Sequence, residues 1–331
     1  MKNETNEAQE SLTLEIGSVM KLVDELELAA DGDNVIYDTR TLLKVYLYML
    51  IKGITGFKTM VKKLNHQPEL LASMGLATCP HRTTLSKRFK VLPEGLREQI
   101  RTLHNGFVAE GLNITEVMSV DSSLMQAKGY VWHKKQRDKG ELPKCGNIDQ
   151  DAHWGKSGCG EWVYGYRVHC LVSHPAEAAL PCDVEVASAN IKDAAVFEQH
   201  LCPSIPTETK VIFGDSGYDK EACYTACDQN NISLITPIKA KKHSPPQRHE
   251  RAQLYNDPEV RQAFALRKTT VEPFQGQLKS LFNLDQLPVK GLANVRPLVI
   301  LATLAYLLLA KLNLLLGRDL LKLHDTLMAI R

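Results

Sequence analysis

The chain has 331 residues, 44% hydrophobic and 24% charged, with 40 Lys+Arg against 38 Asp+Glu. That composition excludes a disordered or low-complexity protein, and at roughly 150 residues per domain the length suggests about two domains. The net charge of +2 hides an asymmetry: residues 1–33 hold two lysines against nine acids, a net of −7, which leaves +9 on the remainder. A basic body is compatible with a polyanionic partner.

The opening MKNETNEAQE is polar and acidic, unlike an export signal, and the eight cysteines are scattered without a Cys-x-x-Cys pair. A reducing cytoplasm with free thiols is the expectation. A zinc site could be drawn from His153, Cys159 and His169, but their irregular spacing suits one poorly. Cys223 and Cys227, four apart on an expected helix, read as small packing residues.

Residues 1–33 form an acidic segment, and 34–112 read as helices throughout. Thr39–Gly53 carries Leu42, Leu43, Tyr46, Leu47, Leu50 and Ile51 on one helical face. Residues 57–75 read as two shorter helices split at Pro68. In HRTTLSKRFKVLP, Thr83 or Thr84 can cap a helix bearing Lys87, Arg88 and Lys90, the pattern of a helix-turn-helix reader of DNA. A bundle with a solvated basic face fits the same residues equally well.

From residue 113 the pattern becomes strand and helix. Strands are expected at 116–121, 162–173, 181–189, 210–213 and 232–238, with helices at 192–201, 218–230 and 269–282. Two basic stretches, 126–161 and 239–251, read as loops. An antiparallel meander followed by crossover units gives an α/β fold: a ribonuclease-H-like mixed sheet with helices on both faces, preceded by an all-helical domain. LVILATLAYLLLA (298–310) is short of the ~20 residues of a spanning helix; it reads as a buried helix capped by Asn294, with Pro297 in its first turn and Gly317 at its end.

Asp121 and Asp215 each sit where a strand runs out. If the strands are neighbours, both carboxylates emerge together, and their repulsion calls for a hard divalent cation between them. Glu272, early in a helix, is the candidate third acid for a two-metal site, and Lys279 lies two turns beyond it on the same face. Read alone, Thr269-x-x-Glu272 fits a capping box equally well, and the aspartates could be ordinary turn residues.

VDSSLMQAKG, FGDSGYD and RKTTVEPFQGQLK together resemble the three catalytic segments of DDE transposases from bacterial insertion sequences. In that family the third segment carries Glu, six intervening residues, then Lys or Arg, which Glu272 and Lys279 match. YDTRTLLKVYLYMLIKGITGFKTMVKKL resembles the family's N-terminal helical region. Relatives often place a Tyr and an Arg before the Glu; here Ala265 stands at the Tyr position, and Arg267 and Lys268 compete for the Arg.

The resemblance implies a catalytic domain over 113–331 and a DNA-binding domain over 34–112. It implies a transposase that binds terminal inverted repeats, cleaves them and joins the 3′ ends to target DNA. Asp121, Asp215 and Glu272 would hold two Mg²⁺ ions, for which Mn²⁺ can substitute. Arg267 or Lys268, with Lys279, Lys87 and Arg88, would contact double-stranded DNA. The protein would act as a homo-oligomer on DNA at the bacterial nucleoid, without membrane or nucleotide cofactor. The rival readings are an inactive DNA-binding relative and a ribonuclease-H-like nuclease. The GDSG at 214–217 echoes a serine-protease nucleophile segment, and RVHC at 167–170 its histidine, but GDSG lies between a strand and a helix and nothing positions a third acid for a triad.

Overall fold

The computed structural model describes residues 13–32, 35–143, 146–158, 160–174 and 178–331. Cys145, Cys159, Lys144 and most of the acidic segment's opening lie outside the described residues. The chain divides into two units: residues 1–103, 280–283 and 293–331, and residues 104–279 with 284–292.

The first unit is helical, with helices Ile16–Asp24, Thr39–Ile51, Phe57–His66, Pro68–Ser73, Arg82–Lys90, the first part of Pro93–Ala109, Leu292–Leu315 and Leu323–Ile330. Asp38 caps the Thr39–Ile51 helix by accepting from the Thr41 amide at 2.7 Å and the Thr41 hydroxyl at 2.8 Å. Gly53 (φ +67°) takes the chain away from it. Pro68 starts its helix because the first helical position needs no N–H donor. Tyr46, Phe57 and Phe89 meet edge to face, 5.0–6.0 Å between centroids, and the Tyr46 hydroxyl donates to the Leu85 carbonyl at 2.8 Å.

The described part of the acidic segment is tied to these helices. Asp24 pairs with Lys44, Asp31 pairs with Arg88, and Arg40 donates to the carbonyls of Val23, Asp24 and Leu26. Two expectations are corrected here. The Arg82–Lys90 helix is capped by His81, whose ring nitrogen accepts from the Thr83 amide, rather than by Thr83 or Thr84. The apolar C-terminal helix is 24 residues long, beginning at Leu292, so Pro297 is interior to it. It is long and apolar enough to cross a membrane, yet 78% of its most apolar stretch is buried inside the protein. Residues 293–331 belong to the same unit as the N-terminal helices, whereas the sequence partition groups them with the catalytic region. Lys52 Nζ donates to the carbonyls of Ile330 and Arg331, and Arg331 Nε donates to that of Ile51.

The second unit is built on a six-stranded mixed sheet: β1 Val117–Gln126, β2 His153–Lys156, β3 Trp162–Ser173, β4 Pro181–Ser188, β5 Val211–Gly214 and β6 Ser233–Ile235. β1 pairs antiparallel with β3 and parallel with β5; β4 and β2 share the far edge of β3, and β6 runs parallel to β5. With β2 set aside, this is the ribonuclease-H-like order expected from the element sequence. Met118, Val120, Leu171 and Ile212 bury one face against Phe197, Leu201, Tyr218, Cys223 and Cys227. The opposite face holds Ser119, hydrogen-bonded to His174 at 2.9 Å and to Thr270 at 3.5 Å, next to the Val271–Phe282 helix. β1 and β3 come so close at Gly165 that any Cβ there would collide with the Met125 carbonyl.

Three sequence assignments in this unit change. The 126–161 stretch is not all loop: it holds the short helix Lys134–Asp138 and strand β2, which pairs with β3. β1 does not stop at Asp121 but continues to Gln126, because β3 keeps pairing with it after β5 ends. The 239–251 stretch is not all loop: Pro246–Asn256 is a helix, followed by a second one, Pro258–Ala265, capped by Asp257. Arg248 grips Asp219 with two hydrogen bonds, and Arg251 pairs with Glu221 and Asp228 while stacking on Tyr224.

Candidate active site

The parallel register pairs Val120 with Gly214, so Asp121 and Asp215 each follow the last paired residue of adjacent strands. Asp215 ends its strand by starting a tight turn, Ser216–Tyr218, where its carboxylate accepts from the Gly217 amide at 2.8 Å. Asp121 remains within β1, opposite Cys170 of β3, and accepts from the Ser122 amide at 2.8 Å.

Glu272 is exposed in the first turn of the Val271–Phe282 helix. The hydroxyls of Thr269 and Thr270 donate backward, to the carbonyls of Leu266 and Arg267. Asp121 has a carboxyl pushed up from its ordinary 3.8 to about 6. Burial is the main cause, and the negative charges of Asp215 and Glu272 add to it, while Arg267 opposes. Asp215 and Glu272 therefore both lie close enough to Asp121 for their charges to act on it.

Arg267 is the cation at this acid. Its guanidinium donates to Asp121 at 3.2 Å, both side chains are nearly buried, and its Nη1 is buried without a hydrogen-bond partner. Lys268 instead lines a cavity of about 230 Å³ together with Arg267, Glu272, Tyr255, Arg261, Phe264 and Ala265. The small side chain of Ala265 thus faces a space that Tyr255, ten residues earlier, also reaches. Lys279 lies 4.0 Å from Asp285 and close enough to Cys170, the cross-strand partner of Asp121, for its charge to act on that thiol.

The remaining sequence candidates separate in kind. Lys87 is exposed on the Arg82–Lys90 helix. Arg88 is turned inward, donating to Asp31 and to the Thr39 hydroxyl, so the two basic residues do different work. In the 126–161 stretch, Lys134, Lys135 and Lys139 are exposed, whereas Arg137 stacks on Trp132 and donates to the carbonyls of Ala152 and Gln150.

Sequence reasoning missed Asp193, at the start of a short helix after β4, which accepts from the Ser122 hydroxyl at 2.7 Å. No spacing rule flags an acid whose importance depends on a long-range approach.

Among the described residues no three His, Cys, Asp or Glu side chains converge into a ready-made ion cage. The donor chemistry nonetheless fits a hard divalent cation: carboxylates only, mutually repelling, with one of them buried.

Residues 113–308 match the transposase DDE domain family. The chain belongs to that family: it is a DDE transposase. No curated protein matches the chain. Among solved structures it is similar to the piggyBac transposase in a synaptic complex with hairpin DNA, at 7% identity and a TM-score of 0.43, covering 97% of this chain and 76% of that one.

Proposed function

We propose that the protein cuts DNA at the ends of its own mobile element and joins the freed 3′ ends to target DNA by metal-dependent phosphoryl transfer. The observation that carries this reading is the equivalent register of Asp121 and Asp215 on adjacent parallel strands, with Glu272 acting on Asp121.

Asp121, Asp215 and Glu272 would hold divalent ions, Mg²⁺ with Mn²⁺ as substitute. Such ions supply the positive charge that activates the attacking oxygen and stabilises the departing 3′ oxygen. The chain's own residues prepare the site. Asp121 and Asp215 present carboxylates already oriented by backbone amides. Arg267, with an unused buried donor, is suited to a phosphate oxygen of the DNA once a cation takes over the neutralisation of Asp121. Lys268 and Lys279 flank this region and would fix neighbouring phosphates, which sets register rather than sequence. Lys87 on the Arg82–Lys90 helix would contact the terminal repeats. The protein would work as a homo-oligomer on double-stranded DNA in the bacterial cytoplasm.

The test is to incubate the full chain and Mg²⁺ with linear DNA carrying the sequences that flank its gene. Release of 3′-hydroxyl ends at a defined position, followed by their joining to a plasmid, is the expected result. Absence of cleavage under conditions where those ends are bound would overturn the reading.

A further inference from the structure

Asp193 lies next to the segments that follow Asp121 and Asp215 without being one of the candidate metal ligands. Its Oδ1 accepts from the Ser122 hydroxyl at 2.7 Å, and the Ser122 amide in turn donates to Asp121. A Cβ built on Gly217 would stand 2.9 Å from Asp193 Oδ2 and 2.9 Å from Asp215 Oδ1, so these oxygens crowd one small space. The Gly217 amide is the donor to Asp215. Asp193 thus bonds the residue whose amide orients Asp121 and lies beside the one whose amide orients Asp215.

The surroundings restrict Asp193 further. Arg167 donates to the Ser122 hydroxyl oxygen at 3.0 Å, and one of its guanidinium nitrogens lies 3.5 Å from Asp193. His169, on the same strand, is fully buried, its Nδ1 is 3.6 Å from Asp193 Oδ1, and neither ring nitrogen has a hydrogen-bond partner. Arg167, His169 and Ser122 share one face of the β1–β3 pair, since Ser122 is paired with His169.

We propose that Asp193 is a positioning residue of the catalytic centre, holding the Ser122 and Gly217 segments so that Asp121 and Asp215 face a common divalent cation. This rests on the reading of those aspartates as metal ligands. The plainer alternative is that Asp193 serves as counter-ion to Arg167 and as an acid in the first turn of its helix. That alternative predicts a loss of stability with no change in metal affinity. Partners that orient a ligand carboxylate typically change metal affinity by roughly 10–100-fold when removed.

The experiment is a Mn²⁺ titration of the full chain, read by the paramagnetic resonance of free Mn²⁺, for wild type, Asp193→Asn, Ser122→Ala and Asp121→Asn, with thermal unfolding of each in parallel. Weakening of Mn²⁺ binding by about 10-fold or more in Asp193→Asn, with a shift in the same direction in Ser122→Ala, is the expected result. If Asp193→Asn does not fold, Ser122→Ala decides alone, because it removes only the hydroxyl that links Asp193 to the Asp121 segment. Wild-type affinity in the folded Asp193 variant, or in Ser122→Ala when that variant alone decides, together with lost binding in Asp121→Asn, would overturn the positioning role and leave the metal reading intact. Wild-type affinity in Asp121→Asn would overturn the metal reading and the proposal with it.

Discussion

Asp121 and Asp215 occupy equivalent positions on neighbouring parallel strands, each one residue beyond the Val120–Gly214 pair. Parallel pairing turns two aspartates 94 positions apart into neighbours, and burial makes their proximity costly. The energetic strain is written on Asp121, whose carboxyl is pushed up to about 6.

That raised value has a sign in stability. The folded state holds the Asp121 proton more tightly than the unfolded chain, so its contribution is fully present below about pH 4 and is lost as pH rises through about 6. The loss is about 2–3 kcal/mol, since each tenfold change in proton affinity is worth roughly 1.4 kcal/mol. Asp121→Asn should therefore be more stable than wild type at pH 7.5 without divalent ions, and the difference should vanish near pH 4. Added Mg²⁺ should raise the melting temperature of wild type but not of the variant. Thermal unfolding across pH, with and without Mg²⁺, checks all three.

Arg267 is the other half of that balance. Replacing it with Met should leave Asp121 buried beside two other acids with no cation, destabilising the fold by about 3 kcal/mol at neutral pH. The penalty should shrink as pH falls through 6, when Asp121 takes up its proton. Urea unfolding at pH 5 and pH 8 measures the difference.

Lys87 and Arg88, adjacent in sequence, should behave as opposites. Arg88→Ala removes charge-assisted bonds to Asp31 and Thr39 and should cost about 1.5–3 kcal/mol of stability. Lys87→Ala should leave unfolding within about 0.5 kcal/mol of wild type. It should instead weaken DNA binding and make the logarithmic salt dependence shallower by a slope of about one. Paired unfolding curves and binding titrations at several salt concentrations separate the two effects.

Gly217→Ala should damage the site more than the fold. The atoms nearest the added methyl are the carboxylate oxygens of Asp193 and Asp215 at 2.9 Å and the Asp193 Cβ at 3.6 Å, all of them side chain. Cleavage should fall at least about 10-fold while the melting temperature moves by only a few degrees. Cleavage rates and melting curves on the same preparation check this.

The three acids stand out in the sequence because two follow short apolar strand runs and the third begins a helix, although the run before Asp121 is not the end of β1. Apart from β2, the order of the strands was readable from their apolar runs. The rest depends on long-range pairing. Continuation of β1 past Asp121 is set by β3, since Ser122 and Ser123 carry no strong strand preference. The Pro246–Asn256 helix was hidden by its polar composition and by two prolines that read as loop, although Pro246 sits at a first helical position. The grouping of residues 293–331 with the N-terminal helices, like the inward turn of Arg88 toward Asp31, has no local signature. A fragment ending near residue 112 would accordingly lack part of its own unit, so DNA binding is best measured on the full chain.

The central claim is that Asp121, Asp215 and Glu272 form one metal-dependent centre for strand cleavage. The most direct measurement is cleavage of end-containing DNA by Asp121→Asn, Asp215→Asn and Glu272→Gln in Mg²⁺, with binding of the same DNA followed in parallel. The account predicts that each substitution abolishes cleavage while end binding stays close to wild type. Near-wild-type cleavage by any one of the three would remove that residue from the centre and contradict the account.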